Sequence, residues 1–391
     1  MIVRDIEERL KHIAAQFPAV LLTGPRQSGK STLCKSVFQR LPYATLESPD
    51  VRAFAVEDPR GFLAQFPQGA VLDEVQNCPQ LPSYLQELVD ADPTPGRWVL
   101  TGSQNLAVTQ SASQSLAGRC GVLRLLPLAR SEVVRFTSHP QTLNETLLTG
   151  GYPRILDRGM QASEWLSAYV ATYLERDVRS LSKLGDLTSF QRFIQLCAGR
   201  AGQLLNLSSL ASDCGISQPT AKAWLSVLEA SFLVFRLPSY HGNVSKRLIR
   251  MPKLHFYDSG LACWLLGIRD VGQLNVHPLR GAVFESWVVS EILKHRLNRG
   301  EENGVFFFRD KAGLECDALV PQGKATVLVE VKAGQTIASD TAANLLRIGG
   351  QSPKSQPGAA PVVIYGGTER QVRNGIDYLP WHAVQDYSWT G

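Results

Sequence analysis

Residues 24–31 combine the residue types and the spacing of a loop that binds a polyphosphate. They read Gly-Pro-Arg-Gln-Ser-Gly-Lys-Ser and fit the pattern G-x-x-x-x-G-K-S/T. An apolar run at 19–22 predicts a strand before the loop, and a helical pattern at 31–40 follows it, so a mere helix-capping turn is the weaker alternative. Glycines let backbone N–H groups surround phosphate oxygens, and a helix N-terminus adds a favourable field. The predicted nucleotide site comprises Gly24, Pro25, Arg26, Gln27, Ser28, Gly29, Lys30, Ser31 and Thr32.

Two acidic residues extend this predicted site. Lys30 is expected to reach the β- and γ-phosphates, and Ser31 to bind Mg²⁺. The apolar run 69–72 reads as a buried parallel strand and ends in Asp73 and Glu74. At that end of a strand, Asp73 is expected to hold Mg²⁺ through its hydration shell, and Glu74 to orient the attacking water. The alternative is an acidic pair that only caps a helix.

A third predicted strand, 97–101, leads to Ser103 and Gln104. A polar side chain at this position can touch the γ-phosphate or the attacking water. An ordinary turn explains the same residues equally well, so Gln104 is a candidate nucleotide contact with an open alternative.

A second group of chemically capable residues lies near the C-terminus. In a strand, residues two apart share a face, so Glu330 and Lys332 point the same way. Asp317 lies on the preceding predicted strand, and Glu285 on a predicted helix, 281–297. Two carboxylates, Asp317 and Glu330, can hold a hard divalent cation, and a lysine beside them can orient or deprotonate a water. The alternative is a sheet face on which a lysine neutralises two acids.

This Asp…Glu-x-Lys arrangement resembles the PD-(D/E)xK core of restriction-endonuclease-like domains. The resemblance rests on order and spacing, namely a helical Glu, an Asp after a hairpin turn, and Glu-x-Lys about a dozen residues further on. It implies a site for Mg²⁺ or Mn²⁺ in which Glu285, Asp317, Glu330 and Lys332 are catalytic. Whether such a site cleaves DNA stays open at this stage.

A basic hairpin is predicted between these two regions. Helical patterns at 190–200, 207–212 and 217–228, with a tight glycine turn before the last, are those of a helix-turn-helix. Two apolar strands follow, and the segment 236–253 between and within them contains five basic residues and no acid. Such a wing suits phosphate contacts, although charges also protect a strand edge from aggregation. The candidate DNA contacts are Lys246, Arg247, Arg250 and Lys253.

The composition of the chain limits the partners and the cellular compartment that we expect for it. The chain has 391 residues, is 44% hydrophobic and carries a formal net charge of +5, which permits nucleic-acid binding without requiring it. Its seven scattered cysteines form no C-x-x-C pair, which argues against a zinc cluster and for a reducing compartment. No apolar run approaches the roughly 20 residues needed to span a bilayer, and the N-terminus does not resemble a targeting signal. We therefore expect a cytoplasmic protein without a membrane partner.

The pattern of elements predicts an α/β chain of several domains. Strands alternate with helices through residue 130, which indicates a P-loop parallel sheet with helices on both faces. We expect a P-loop core at 1–130, a helical lid or linker at 131–185, a winged helix at 186–257, and a restriction-endonuclease-like α/β domain at 258–391.

The whole chain resembles one family, the bacterial and archaeal AAA+-type ATPases that carry a C-terminal restriction-endonuclease-like domain. The resemblance implies ATP as the nucleotide, Mg²⁺ as its metal, and a homo-oligomer, with a hexameric ring as one form. In such rings an arginine completes the neighbouring site, and by motif position Arg119 and Arg176 are the candidates. The motifs that carry the resemblance are those at 24–31, 72–76, 100–104, 116–119, 173–178, 284–285 and 330–332.

Two functions compete at this point. The first is a Mg²⁺-dependent ATPase that acts on DNA, with a C-terminal domain that cuts the DNA or grips it. The second is an ATPase scaffold or signalling switch, whose nuclease-like domain is inactive and binds a protein or a nucleic acid.

Overall fold

The structure is a computed structural model that describes residues 2–103, 116–174, 187–240, 251–301, 304–323, 325–351 and 359–391. No helix in the described ranges is both long enough and apolar enough to cross a membrane.

The chain divides into two compact units. The first unit comprises 1–127, 230–232 and 297–300, and the second comprises 128–229, 233–296 and 301–391.

A parallel sheet forms the centre of the first unit. Its strands are β1 (Ala19–Thr23), β2 (Tyr43–Thr45), β3 (Ala70–Asp73), β4 (Trp98–Gly102) and β5 (Cys120–Arg124). The order is β2-β3-β4-β1-β5, and every neighbouring pair is parallel. Strands β1, β3 and β4 are buried along their whole length, which is why they read as continuous apolar runs rather than as alternating patterns. The predicted α/β architecture with a P-loop-type sheet is confirmed.

Apolar clusters on the two faces of this sheet anchor its helices. Helix α3 (Pro49–Glu57) starts with a proline in its first turn, and the carboxylate of Asp58 accepts the Gly61 N–H at the start of α4 (Pro59–Ala64). The helices are α1 (Glu7–Ala14), α2 (Lys30–Val37), α3 (Pro49–Glu57), α4 (Pro59–Ala64) and α5 (Leu81–Ala91).

The second unit begins with helices and a two-stranded hairpin. Its helices up to that hairpin are α6 (Arg130–Val133), α7 (Leu143–Thr149), α8 (Pro153–Asp157), α9 (Ala162–Tyr169), α10 (Leu187–Ala198), α11 (Leu207–Cys214) and α12 (Gln218–Ala230). Asn206 caps the start of α11, and Gly215 ends it with φ of 73°, a left-handed conformation that glycine adopts without penalty. Strands β6 (Val234–Leu237) and β7 (Lys253–Phe256) follow α12 and pair antiparallel.

A mixed six-stranded sheet completes the second unit. The remaining helices are α13 (Ser259–Leu265), α14 (Val271–Val276), α15 (Arg280–Asn298) and α16 (Ala343–Gln351). The strands are β8 (Phe306–Arg309), β9 (Glu315–Gln322), β10 (Ala325–Lys332), β11 (Ala359–Tyr365), β12 (Gln371–Arg373) and β13 (Ile376–Pro380). They lie in the order β12-β13-β11-β10-β9-β8, with β9 and β10 antiparallel and β10 and β11 parallel.

The hairpin and the C-terminal sheet are physically continuous. Just beyond β6, the Tyr240 N–H donates to the Phe307 carbonyl of β8, and the Phe307 N–H donates to the Pro238 carbonyl. One apolar cluster also joins residues from the predicted lid, the wing and the C-terminal domain, among them Leu143, Leu237 and Val329. The domain boundaries predicted at 185 and 257 therefore fall inside a single compact unit, and the division there stays a prediction.

Candidate functional site

The predicted phosphate loop connects β1 to α2. Gly24 follows β1 with φ of 150°, and a Cβ atom added there would lie 2.1 Å from the Leu125 carbonyl oxygen. Gly29 has φ of 94° and immediately precedes the first residue of α2. Both positions therefore require glycine, one for space and one for backbone conformation. The first N–H groups of α2 have no acceptor within the helix and face the loop, as a phosphate site needs.

Lys30 lies inside this loop. Its side chain is buried, and Nζ donates to the carbonyl oxygens of Gly24 at 2.9 Å and Pro25 at 2.8 Å. Burial lowers the pKa of Lys30, while the carboxylates of Glu74 and Asp73 oppose that shift. Within the described part of the chain, the ammonium donates to carbonyl oxygens alone, and it can turn to phosphate oxygens at small cost because phosphate is a stronger, charged acceptor.

Ser31 and Asp73 meet as the sequence predicts. The Ser31 hydroxyl lies 3.0 and 2.9 Å from the two Asp73 carboxylate oxygens. The Thr101 hydroxyl also donates to Asp73, and so does the Tyr43 hydroxyl at 2.5 Å. A hydroxyl and a carboxylate are the oxygen ligands and water acceptors that Mg²⁺ prefers, so the residues present fit this metal. Thr101 and Tyr43 are contacts that the sequence analysis missed, although both lie on strands next to β3.

Glu74 has an unusual backbone conformation. It sits directly after β3 with φ of 58° and ψ of 48°, a left-handed conformation that non-glycine residues adopt rarely and that recurs at active sites. Its carboxylate accepts hydrogen bonds from the Ser103 hydroxyl, at 2.9 Å, and from the Gln76 amide. Ser103 therefore orients Glu74 in this structure. Gln104, the next residue and a predicted nucleotide contact, lies outside the described residues.

Arg4 supports the loop from outside its motif. Its guanidinium donates to the Ser28 carbonyl at 2.7 Å and to the Leu126 carbonyl at 2.9 Å. The residue is buried, at 8% exposure. The sequence analysis missed it, because a single arginine in an amphipathic N-terminal segment gives no signal of such a contact.

We expect Arg4→Ala to loosen the phosphate loop. Two buried carbonyl groups would lose a charged donor, and bonds of that kind contribute about 1.5–3 kcal/mol each. The free energy of unfolding of the first unit should fall by about 3–6 kcal/mol, the sum for the two bonds, and the Michaelis constant for ATP should rise. Urea unfolding and steady-state ATPase kinetics measure both. Arg4→Lys retains the charge but not the planar guanidinium, so its stability and Michaelis constant should lie between those of wild type and Arg4→Ala. Wild-type values for Arg4→Ala would contradict the prediction.

The arginine candidates are only partly described. Arg119 precedes β5, and its guanidinium pairs with Asp90 of α5, with Nη2 at 3.0 Å from Oδ2. A role for Arg119 in a neighbouring subunit would require that this ion pair opens, and it stays a prediction. Arg176 lies outside the described residues.

The second predicted constellation comes together in the second unit. Glu285 of α15, Asp317 of β9, and Glu330 and Lys332 of β10 line one cavity of about 620 Å³. Glu330 Oε1 lies 2.5 Å from Lys332 Nζ, and Asp317 Oδ2 accepts the Val331 N–H at 2.8 Å. The order and faces of these residues are therefore as the sequence analysis expected.

Lys253 occupies the middle of this group, which corrects its assignment as a DNA contact. It begins β7, and its side chain is only 3% exposed. Its Nζ lies 2.8 Å from Glu285 Oε1, 2.7 Å from Glu315 Oε1 and 3.6 Å from Asp317 Oδ1. An ammonium that is enclosed in this way cannot reach a phosphate backbone. The other wing candidates, Lys246, Arg247 and Arg250, lie outside the described residues.

A divalent cation does not fit the C-terminal carboxylates in this arrangement. Glu285 and Asp317 face the Lys253 ammonium, and Glu330 pairs with Lys332. Among the residues that the structure describes, no three His, Cys, Asp or Glu side chains are placed to hold a metal ion. The predicted Mg²⁺ or Mn²⁺ ligands Asp317 and Glu330 are thus near one another but are engaged with protein cations.

Burial and mutual repulsion perturb these carboxyl groups. Burial, reinforced by Asp317, raises the pKa of Glu330 from 4.5 to about 7, and burial raises the pKa of Glu285 as well. For Lys253, burial works to lower the pKa, but Glu285, Asp317 and Glu315 together hold it above the ordinary value.

The Glu330 shift predicts a pH-dependent stability. Because the folded-state pKa is the higher one, its stabilising contribution is complete below about pH 4.5 and is lost as the pH rises through about 7. Between pH 5 and pH 8, the free energy of unfolding should therefore fall more for wild type than for Glu330→Gln. Urea unfolding at the two pH values measures the difference. An equal decrease in the free energy of unfolding for the two proteins would contradict the raised pKa of Glu330.

Comparison with known families identifies the first unit. Residues 16–134 match a model described as an AAA domain. Together with the loop, the Ser31–Asp73 pair and the parallel sheet, this match defines a P-loop ATPase domain. Residues 140–271 and 280–384 match two models that are each described as a domain of unknown function, DUF8612 and DUF4143 respectively.

The chain belongs to the family of an uncharacterised protein of Mycobacterium tuberculosis. The two are 30% identical over 336 residues, which cover 85% of this chain and 74% of the relative. An uncharacterised protein of Mycobacterium bovis matches with the same identity and coverage. Among solved structures, the Walker-type ATPase PABY2304 of Pyrococcus abyssi is 16% identical and has a TM-score of 0.46, covering 67% of this chain and 94% of its own.

Proposed function

We propose that this protein is a Mg²⁺-dependent ATPase that hydrolyses ATP at the loop 24–31 and acts on DNA. The observation that carries the ATPase part is the contact between Ser31 and Asp73 beside the buried Lys30. A bound Mg²⁺ would supply charge neutralisation at the β- and γ-phosphates. Ser31 would bind it, Asp73 would hold its waters, and Lys30 would take up phosphate charge.

Glu74 is the proposed base that orients the attacking water. Its carboxylate accepts the Ser103 hydroxyl, and its backbone is left-handed directly after β3. Both of its hydrogen bonds, from Ser103 and Gln76, go to Oε2, so the lone pairs of Oε1 can accept a water molecule. Gln104 and Arg119 are proposed as further contacts to the nucleotide, the latter in a homo-oligomer such as a hexameric ring.

DNA is the proposed partner of the second unit. Helices α10, α11 and α12 followed by the hairpin β6–β7 have the order of a winged helix. The first turns of α12 expose polar side chains, Gln218 and Lys222 among them, as a helix that enters a groove would. The proposed phosphate contacts are Lys246, Arg247 and Arg250, with the C-terminal nuclease-like domain as a second gripping surface.

DNA stimulation of the ATPase tests this proposal. We expect duplex DNA to raise the rate of phosphate release, and the stimulation to fall steeply between about 50 and 200 mM salt, because phosphate contacts release counterions. A variant with Lys246, Arg247 and Arg250 all changed to Ala should lose most of the stimulation and retain the DNA-independent rate. Lys11→Ala is the matched control, since Lys11 is a surface lysine paired with Glu7 and Glu8. An unstimulated ATPase at low salt would reject DNA as the partner.

A second function is favoured by the position of Lys253. A nuclease-like centre that is filled by a protein cation fits an ATPase scaffold or switch, whose C-terminal domain binds a protein or a nucleic acid without cutting. Incubation of supercoiled DNA with Mg²⁺ or Mn²⁺, with and without ATP, separates the two. Nicking that Asp317→Ala abolishes would support cleavage, and intact DNA would support binding only.

A further inference from the structure

We propose that Lys253 is a built-in cation that replaces the divalent metal of the nuclease-like centre. The chain would thereby close its own C-terminal site with a side chain from the hairpin β6–β7. This inference deepens the proposed role of the C-terminal domain and depends on its nuclease-like character, but not on the ATPase.

The contacts of Lys253 are those of a central cation. An ammonium has three N–H donors, and here three carboxylates surround it, from α15 and from two positions of β9. These include Glu285 and Asp317, two of the four positions that the nuclease motif uses. Glu315, which the sequence analysis did not single out, completes the group and also approaches Arg309 at 3.4 Å.

The backbone of Lys253 is fixed on both sides. In β7, Lys253 pairs with Leu237 of β6. On the other side, the Gly202 N–H donates to the Leu254 carbonyl at 2.7 Å, and the Leu254 N–H donates to the Gln203 carbonyl at 3.0 Å. Gly202 also closes over the site, since an added Cβ there would lie 3.3 Å from Glu285 Oε2. A lysine on a strand held along both edges is a permanent part of the site rather than a mobile surface chain.

The charges make lysine and a divalent cation mutually exclusive. A metal bound to Asp317 and Glu330 would stand within a few ångströms of the Lys253 ammonium, which lies 3.6 Å from Asp317 Oδ1 in a cavity where burial weakens solvent screening. The carboxylates also need direct contacts of about 2.0–2.6 Å to such a metal. Lys253 must therefore leave, or be removed by mutation, before the centre can take Mg²⁺ or Mn²⁺.

Mn²⁺ titration without nucleotide tests this inference. The loss of the electron paramagnetic resonance signal of free Mn²⁺ reports binding at neutral pH. Asp73→Asn serves as the background, because it removes the metal site of the ATPase domain. In the Asp73→Asn background we would compare two further substitutions. Lys253→Met keeps the length of the side chain without its charge, and Arg309→Met removes a partly exposed charge from the rim of the same cavity.

We expect Lys253→Met to gain one Mn²⁺ site per chain, bound about tenfold or more tightly than in the background and in Arg309→Met. Asp317→Asn on top of Lys253→Met should abolish the gain. A folded Lys253→Met protein without that gain would overturn the inference. The inference would also be overturned if the Asp73→Asn protein itself bound Mn²⁺ at a site that Asp317→Asn removes. That comparison remains decisive even if Lys253→Met does not fold.

Discussion

Lys30→Ala should reduce the rate of ATP hydrolysis by about 10²–10³-fold or more, because it removes a preorganised positive charge from the transferring phosphate. Lys30 is buried in the loop, where its Nζ donates to the carbonyl oxygens of Gly24 and Pro25 and so stands beside the predicted phosphate site. Steady-state phosphate release at saturating ATP measures the loss.

That change should also have a structural cost, but the protein should stay folded. The carbonyl groups of Gly24 and Pro25 lose a donor, which contributes about 1.5–3 kcal/mol in the fully buried case. Circular dichroism and the unfolding midpoint distinguish this cost from loss of the fold. Lys11→Ala, at a surface position, should keep the wild-type rate. Full activity in Lys30→Ala would show that hydrolysis occurs elsewhere and would contradict the assignment of the loop 24–31 as the site of ATP hydrolysis.

Lys253→Met should destabilise the second unit by about 3–5 kcal/mol, the range for removing one partner of a buried ion pair. Glu285 and Asp317 would then face each other without the ammonium that separates their charges. The loss should be smaller at pH 5 than at pH 8, because protonation of the stranded carboxylates relieves their repulsion. Urea unfolding at both pH values, followed by far-UV circular dichroism, measures the effect.

Arg309→Met is the matched control for this prediction. Arg309 pairs with Glu315 at 3.4 Å, but its side chain is 38% exposed, and exposed pairs contribute about 0–1 kcal/mol. We expect a change within that range. A loss of less than about 1 kcal/mol in Lys253→Met as well would mean that the lysine is a bystander rather than the centre of the cluster.

The sequence predicted the ATPase domain well, for physical reasons that are visible in it. Strands such as β1 and β3 are buried on both faces, so their apolar runs stand out, and the loop between β1 and α2 needs glycine at two fixed positions. The Ser31–Asp73 contact follows because strand ends in a parallel sheet share one edge. What was missed there, Arg4 and Tyr43, acts through single long-range contacts that leave no local pattern.

The C-terminal site shows where sequence reasoning fails. Strand alternation placed Glu330 and Lys332 on one face correctly, and Asp317 beside them. Lys253 was misinterpreted, because a basic residue on a hairpin reads as exposed unless its tertiary partners are known. Its charge is balanced by Glu285 and Glu315, which lie 32 and more residues further along the chain. A pattern read within a short stretch of sequence cannot reveal that pairing.

Hydrolysis of ATP at the loop 24–31 with Glu74 as the base can be tested by comparing one variant with wild type. Binding of a fluorescent ATP analogue and single-turnover hydrolysis should be measured in wild type and in Glu74→Gln. We predict that the variant binds nucleotide as wild type does but hydrolyses ATP about 10²–10⁴-fold more slowly, the range for loss of a general base. Hydrolysis at the wild-type rate in Glu74→Gln would contradict the role of Glu74, and no nucleotide binding by either protein would contradict ATP hydrolysis at the loop.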